Sequence, residues 1–293
     1  MDHETALKRI NALPIWQGDI VTKPLGGGRT NLNFTVTDNS GTYVARFGED
    51  LPEHQLLRFN ELAASRAAHA AGLSPAVVHN EDGLTVVDYI DSKTLDEPDI
   101  GVPEMLARII PLVRLCHTEI PKHCRGPALI FWVFHVIRDY AATMSDRGSS
   151  YSAKLPEYLE ICEKLEVASG PFDIVFGHND LMAANFLDDG KRLWLIDWDY
   201  AGFNSPLFDL GGLASNNSLS ETQETHMLEL YFDGPIAADL LYRYHAMKCA
   251  SLLRECMWSM VSEITSTLNI DYVAYTAENL DRFQRAYDTY KQS

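Results

Sequence analysis

The stretch FGHNDLMAANFLDDGKRLWLIDWDYAG, Phe176 to Gly202, sets carboxylates and carboxamides at spacings that chemistry can use. NFL and LWLI flank DDGKR, so alternation and turn chemistry predict a hairpin with Asp188, Asp189 and Gly190 at its tip. At ~3.3 Å per residue, that pairing brings Asn185 and Asp197 close enough to share one cation. Hard divalent ions prefer such oxygen ligands, with phosphate oxygens supplying the rest. Asp180 stands five positions before Asn185. Two other readings stay open: a solvent-facing polar hairpin, and a hydrolase metal site built from His178, Asp180 and Asp197.

Elements on both sides must hold this segment. After a short helical opening, DIVTKPL reads as a strand running into Gly26, Gly27 and Gly28, and NLNFTVT as the next strand. The turn from Asp38 to Gly41 leads into TYVARF, which ends near Arg46 and completes a three-stranded meander. A glycine-rich turn between strands lets backbone N–H groups approach a phosphate. GGGRTN is neither a Walker A loop nor a dinucleotide fingerprint. Helix formers dominate from Glu53 to Ala71, with Leu56, Phe59, Leu62, Ala63 and Ala67 at helical spacing and Gly72 as the C-terminal cap. PAVVHNEDGLTVVDYI reads as a second hairpin turning at Asn80 to Gly83. The expectation is a small sheet with a single helix across it, then a mostly helical second lobe in which Pro111 kinks or interrupts its helix. Two packed lobes follow, residues 1–92 and 93–293.

HNDLMAAN has the D-x-x-x-x-N spacing of a kinase catalytic loop. Together with LIDWDYAGFNSPLFDL it resembles the choline kinase and aminoglycoside phosphotransferase group, and D-W-D-Y points toward choline kinase-like members. The resemblance runs from Gly26 to about Tyr275. It implies an α+β, two-lobed protein kinase-like fold: a small antiparallel-sheet N-lobe with one main helix and a larger, mostly α-helical C-lobe. It implies ATP and Mg²⁺, and transfer of the γ-phosphate to the hydroxyl of a small cationic amino alcohol, choline first. Ethanolamine, thiamine or an aminoglycoside are the alternative acceptors, and a nucleotide-binding pseudokinase is the rival without transfer.

By the same resemblance Asp180 is the base and Asn185 and Asp197 hold the metal. Gly27, Gly28, Thr30 and Asn31 of the glycine turn, Arg46, Glu61, and Asp88 and Ile90 of the hinge serve the nucleotide. His178 and Asp209 support the loop, Asp209 either as a helix cap or through a buried bond. Asp199, Tyr200, Glu255, Trp258, Tyr272 and Tyr275 face the acceptor, because aromatic faces attract a permanent cation. Glu255 stands where a first cage tryptophan is often found, and Asn216 where many choline kinases carry an acid. Glu255 and Trp258 share a helix face, so the carboxylate could replace that acid or favour a primary or secondary amine.

Composition narrows the partners. Acidic residues outnumber basic ones, 41 to 24, for a formal charge of -17. That balance repels nucleic acid and anionic lipid and favours cations. The five cysteines form no C-x-x-C pair, and MDHETALKRI lacks the apolar core of a signal peptide. A cytoplasmic protein with reduced thiols, no membrane insertion and a small-molecule partner is expected; a homodimer is allowed.

Overall fold

Alternating apolar residues in the N-terminal strands leave one face of a sheet needing cover. In the computed structural model, which describes residues 2–26, 31–268 and 270–293, that cover comes from α1 (His3–Ala12), whose N-cap Asp2 accepts from the Thr5 amide at 2.8 Å. The strands β1 (Val21–Leu25), β2 (Leu32–Thr37) and β3 (Thr42–Phe47) form the expected meander. After α2 (Arg58–Ala70), the hairpin of β4 (Val77–Glu81) and β5 (Leu84–Asp88) completes an antiparallel sheet of order β1-β2-β3-β5-β4. Phe34, Val36, Ala45, Phe47, Leu84 and Val86 bury against Ala6, Ile10 and Leu13.

The helix α2 differs from expectation in two ways. It begins at Arg58, because Pro52–His54 forms a 3₁₀ turn and Gln55 takes φ 58° to close a Leu51–Leu56 bridge. Its buried side is Asn60, Glu61, Ala64, Ala67 and Ala68, while Phe59 is 50% exposed. The three alanines join the larger core, so α2 reaches away from the sheet's apolar face and leaves that face to α1. Gly72, at φ 78°, caps the helix as expected, its amide donating to His69 O at 2.8 Å.

The second lobe follows through β6 (Lys93–Thr94), α3 (Glu97–Ile100), α4 (Pro103–His123), α5 (Val133–Asp146) and α6 (Leu155–Ser169). Then come β7 (Val175–Gly177), β8 (Phe186–Asp188), β9 (Leu193–Leu195) and β10 (Gly202–Asn204), and the helices α7 (Pro206–Asn216), α8 (Glu221–Phe232), α9 (Ala238–Thr265) and α10 (Tyr272–Gln292). Pro111 does not interrupt α4. It lies on the exposed face, where water can bond the carbonyl that its missing N–H leaves free, while Ile109, Ile110, Leu112 and Val113 anchor the helix inside. All five cysteines are free. Among the described residues, no helix is long and apolar enough to cross a membrane.

Candidate active site

Two short strands and one buried carboxylate shape the loop that follows β7. That strand pairs antiparallel with β10, which returns the chain to the same place after the D-W-D-Y segment. Asp209 of α7 accepts from the amides of His178 at 2.8 Å and Asn179 at 2.7 Å, and from His117 Nε2 at 2.9 Å. Burial opposes ionisation of Asp209, but the His117 bond and charge, with His178, hold its carboxyl below the usual range. Asn179 takes φ 66°, and its side-chain amide bonds Tyr200 O at 2.9 Å. His178 is spent on structure: Nε2 meets Ile196 O at 2.9 Å, and Nδ1 accepts from the Asp180 amide at 3.3 Å.

Asp180 keeps a partial opening to solvent. Protein packed around it pushes its carboxyl up to about 7; Arg254 opposes that rise, and Glu255, Asp197 and Asp209 add to it. A carboxylate that titrates near neutrality is matched to proton transfer.

The β8–β9 hairpin forms as expected, with Phe186 facing Leu195, but Asp188 ends β8 opposite Leu193 and is not at the tip. The Ile196 amide donates to Asn185 O at 3.0 Å, which sets Asp197 next to Asn185. Asn185 Nδ2 donates to Asp180 O at 2.9 Å, turning its Oδ1 away as a free hard-oxygen donor. Asp197 sits at φ 68° and accepts from Arg46 Nη2 at 2.8 Å. Burial works against its charge, but Arg46, then His178 and Arg58, hold its carboxyl below the ordinary value.

Around Asp197, charges from both lobes interlock. Arg46 Nη2 lies 3.3 Å from Glu61 and 3.5 Å from Asp199. Arg58 donates to Glu61 at 2.6 Å, to Asp199 at 3.0 Å and to Asn31 at 2.9 Å, and Asn31 Nδ2 closes the ring on Asp199 at 3.3 Å. Two guanidiniums thus face three carboxylates. Burial and the like charges of Asp197 and Glu61 raise Asp199 well above the ordinary carboxylate range, against Arg46 and Arg58. The oxygen donors of Asn185 and Asp197 suit Mg²⁺, which keeps waters and phosphate oxygens as its other ligands. A hydrolase site is not supported: His178 is occupied on both nitrogens, and among the described residues no three His, Cys, Asp or Glu side chains cluster to hold a metal.

The hinge carries a restriction. The Asp88 and Tyr89 amides already donate to Ala76 O at 3.0 Å and Thr42 O at 3.1 Å, and Ile90 O accepts from Ser92 Oγ. Gly27, Gly28 and Thr30 lie outside the described residues.

On the acceptor side the aromatic residues do gather. Trp258 Nε1 donates to Tyr200 OH at 3.0 Å, and its ring packs edge-on to Tyr272 and Tyr275, both with centroids at 6.2 Å. Tyr272 OH donates to Ser266 Oγ at 2.9 Å. Glu255 accepts from Tyr275 OH at 2.7 Å and from Arg254 Nη1 at 3.0 Å.

Residues 21–247 match the model of the phosphotransferase enzyme family. The chain belongs to this family. It is similar to Protein LicA of Haemophilus influenzae, 24% identical over 87% of this chain and 76% of that protein. It is also similar to a probable ethanolamine kinase of Arabidopsis thaliana, 25% identical over 86% of this chain and 75% of the other. A crystal structure of a choline/ethanolamine kinase family protein from Mesorhizobium loti superposes with a TM-score of 0.80 at 26% identity, covering 98% of this chain and 95% of that one. The protein kinase-like fold and the choline kinase-like character of this phosphotransferase follow.

Several residues of the phosphotransferase site escaped the sequence reading. Arg58 bonds Glu61 more closely than Arg46 does. Asn60 Nδ2 donates to Ala201 O at 2.7 Å, tying α2 to the segment after Tyr200. Asn217, one position after the residue singled out in the sequence, accepts from the Ala183 amide at 2.8 Å and donates to Leu181 O at 3.0 Å. A polar residue in an otherwise alanine-rich buried stripe was the signal for Asn60.

Proposed function

We propose that this phosphotransferase moves the γ-phosphoryl group of ATP onto the hydroxyl of a small amine-bearing alcohol. Choline is favoured by Trp258, Tyr272 and Tyr275, and ethanolamine is the second candidate. One observation carries the reading: a partly open carboxylate, Asp180, raised to about 7 on a loop that Asp209 and His178 immobilise beside Asp197. Asp180 orients the acceptor hydroxyl and takes its proton as the oxygen attacks phosphorus. Asn185 and Asp197 are the Mg²⁺ ligands, and the ion, when bound, neutralises charge on the phosphates.

Arg46, oriented by Glu61, pairs with phosphate oxygens, and Asn31 together with Gly27, Gly28 and Thr30 is assigned to the nucleotide. Because the Asp88 and Tyr89 amides are taken, adenine is left the Asp88 carbonyl and the Ile90 amide. Asp199 and Tyr200 link the metal side to the acceptor side. We take residues 1–92 as the nucleotide lobe and 93–293 as the catalytic lobe, in a cytoplasmic enzyme supplied with ATP.

The test is ADP formation from Mg-ATP against choline, ethanolamine, thiamine and an aminoglycoside, with phosphorus NMR locating the new ester. Acceptor-dependent ADP release is expected for an amine-bearing alcohol. Nucleotide binding without ADP release for any acceptor would leave a pseudokinase and end the proposal.

A further inference from the structure

Three buried polar atoms behind the acceptor aromatics have nothing to bond. Among the described residues, Arg254 Nε, Tyr140 OH and His54 Nδ1 meet no hydrogen-bond partner. The three side chains are nearly solvent-free, at 4%, 0% and 4% exposure. They come from three elements, α9, α5 and the 3₁₀ turn before α2, and collect at one place. The His54 ring lies 5.8 Å from Tyr140 and 5.3 Å from Trp258. The Arg254 guanidinium lies 5.3 Å from the Tyr200 ring, whose hydroxyl accepts from Trp258.

A guanidinium has five N–H donors. Among the described residues, Arg254 uses one hydrogen bond, to Glu255. Buried donors are almost always satisfied, so a group of unused ones marks a place for a partner. Burial, followed by the charge of Arg254, lowers His54 to about 4 and keeps it neutral, so it adds a donor or acceptor without adding charge. The charge of Arg254 also reaches Asp180, where it opposes the rise of the carboxyl.

Such a cluster is poorly built for a plain cation. It already holds a fixed cation, lying over the Tyr200 and Phe131 rings that would otherwise attract one. Guanidinium with a phenol hydroxyl instead matches the planar oxygens of a carboxylate. Glu255 next to it has accepted two of the roughly four bonds a carboxylate can take, leaving capacity for an ammonium.

We propose that Arg254, Tyr140 and His54 form a carboxylate-recognition subsite beside Asp180, so that the acceptor is a hydroxy-amino acid: its carboxylate meets Arg254, its ammonium Glu255, its hydroxyl Asp180. This rests on the phosphoryl-transfer reading above and departs from it only in the acceptor.

Matched pairs test it. Serine is ethanolamine with a carboxylate added, and homoserine stands in the same relation to 3-aminopropanol. With the full chain and Mg-ATP, kcat/KM is expected to be at least tenfold higher for the carboxylated member of each pair. Tyr140→Phe removes only an unpartnered hydroxyl, so it should keep its Tm yet cut that preference several-fold through KM. Arg254→Met combined with Glu255→Gln should abolish it. Equal or better turnover of ethanolamine and 3-aminopropanol overturns the subsite, leaves phosphoryl transfer standing and assigns the buried atoms to water. Serine binding by calorimetry without ADP release supports the subsite and overturns the transfer. Neither binding nor turnover of any carboxylated acceptor overturns the subsite.

Discussion

The nucleotide side and the acceptor side of this enzyme are built on opposite principles. Around Asp197 charges of both signs are interlocked: Arg46 and Arg58 share Glu61, Asp197 and Asp199 between them, and Asn31 spans Arg58 and Asp199, with Arg46 Nε left without a partner among the described residues. Around Asp180, by contrast, Arg254, Tyr140 and His54 keep buried donors and acceptors unused. Saturated networks hold a geometry before the ligand comes, and unsatisfied ones are completed by it. On the reading proposed above, the difference teaches that the groups assigned to phosphoryl transfer are largely preformed by the protein, whereas acceptor specificity would reside in groups awaiting a partner.

The sharpest way to break the comparison is Asp180→Asn. Loss of the base should lower kcat by ~10² to 10⁴-fold while nucleotide binding persists. Stability should move the other way. An aspartate releases its proton near 3.8 when unfolded but near 7 here, because burial opposes its charge. Between those values unfolding releases a proton, so each pH unit costs the fold about 1.4 kcal/mol, and above the folded value the penalty is constant. The Tm gain of the variant should therefore grow from pH 4 to pH 7 and then level. Wild-type turnover should fall as pH drops below 7. A variant that melts no higher than wild type at pH 8 contradicts a strained, ligand-awaiting acceptor side.

On the ion-paired side the opposite holds, because removing one partner strands the others. Arg58→Met leaves Glu61 and Asp199 short of a cation. Breaking a buried pair costs ~3 to 5 kcal/mol, and the lower end applies since the Arg58 side chain is 19% exposed. Urea unfolding should show a loss of roughly 3 kcal/mol, with a raised KM for ATP. Unchanged unfolding would mean that Arg46 alone holds the cluster.

The catalytic loop was legible in the sequence because its logic is local. Asn185 and Asp197 flank a hairpin whose turn and alternation can be read directly, and β8 and β9 do pair, with the turn shifted past Asp188. Glu61 could be paired with Arg46 by likeness, but Arg58 was not singled out: its i,i+3 spacing to Glu61 was the available signal, while its second partner Asp199 lies 141 residues away. The period of α2 was misread because its buried face carries two polar residues, Asn60, which bonds Ala201 across the lobe boundary, and Glu61, which pairs with Arg46 and Arg58. Pro111 failed as a breaker because tertiary packing outweighed local propensity. Asn217 holds Leu181 and Ala183 from the end of α7, at separations of 36 and 34 residues. Asn217→Ala should cost about 1 to 3 kcal/mol by stranding the Ala183 amide, lowering Tm and kcat together. A Tm loss with full kcat would show that the loop holds its form without it.

The smallest effect sought concerns Glu255, where the two principles meet. Tyr275 OH and Arg254 each bond one of its oxygens, so its charge is partly answered and partly available. Tyr275→Phe keeps the aromatic ring beside Trp258 but frees Oε1 of that bond. An acceptor with N–H groups can take the freed oxygen, whereas the quaternary nitrogen of choline has no hydrogen to donate. A hydrogen bond to a charged group is worth about 1.5 kcal/mol at the low end, and 1.4 kcal/mol is roughly tenfold in a rate or equilibrium ratio. The ratio of kcat/KM for ethanolamine over choline should therefore rise by up to roughly tenfold in the variant, through KM. A ratio that stays put would place the acceptor nitrogen out of reach of Glu255 and leave its recognition to the faces of Trp258 and Tyr275 alone.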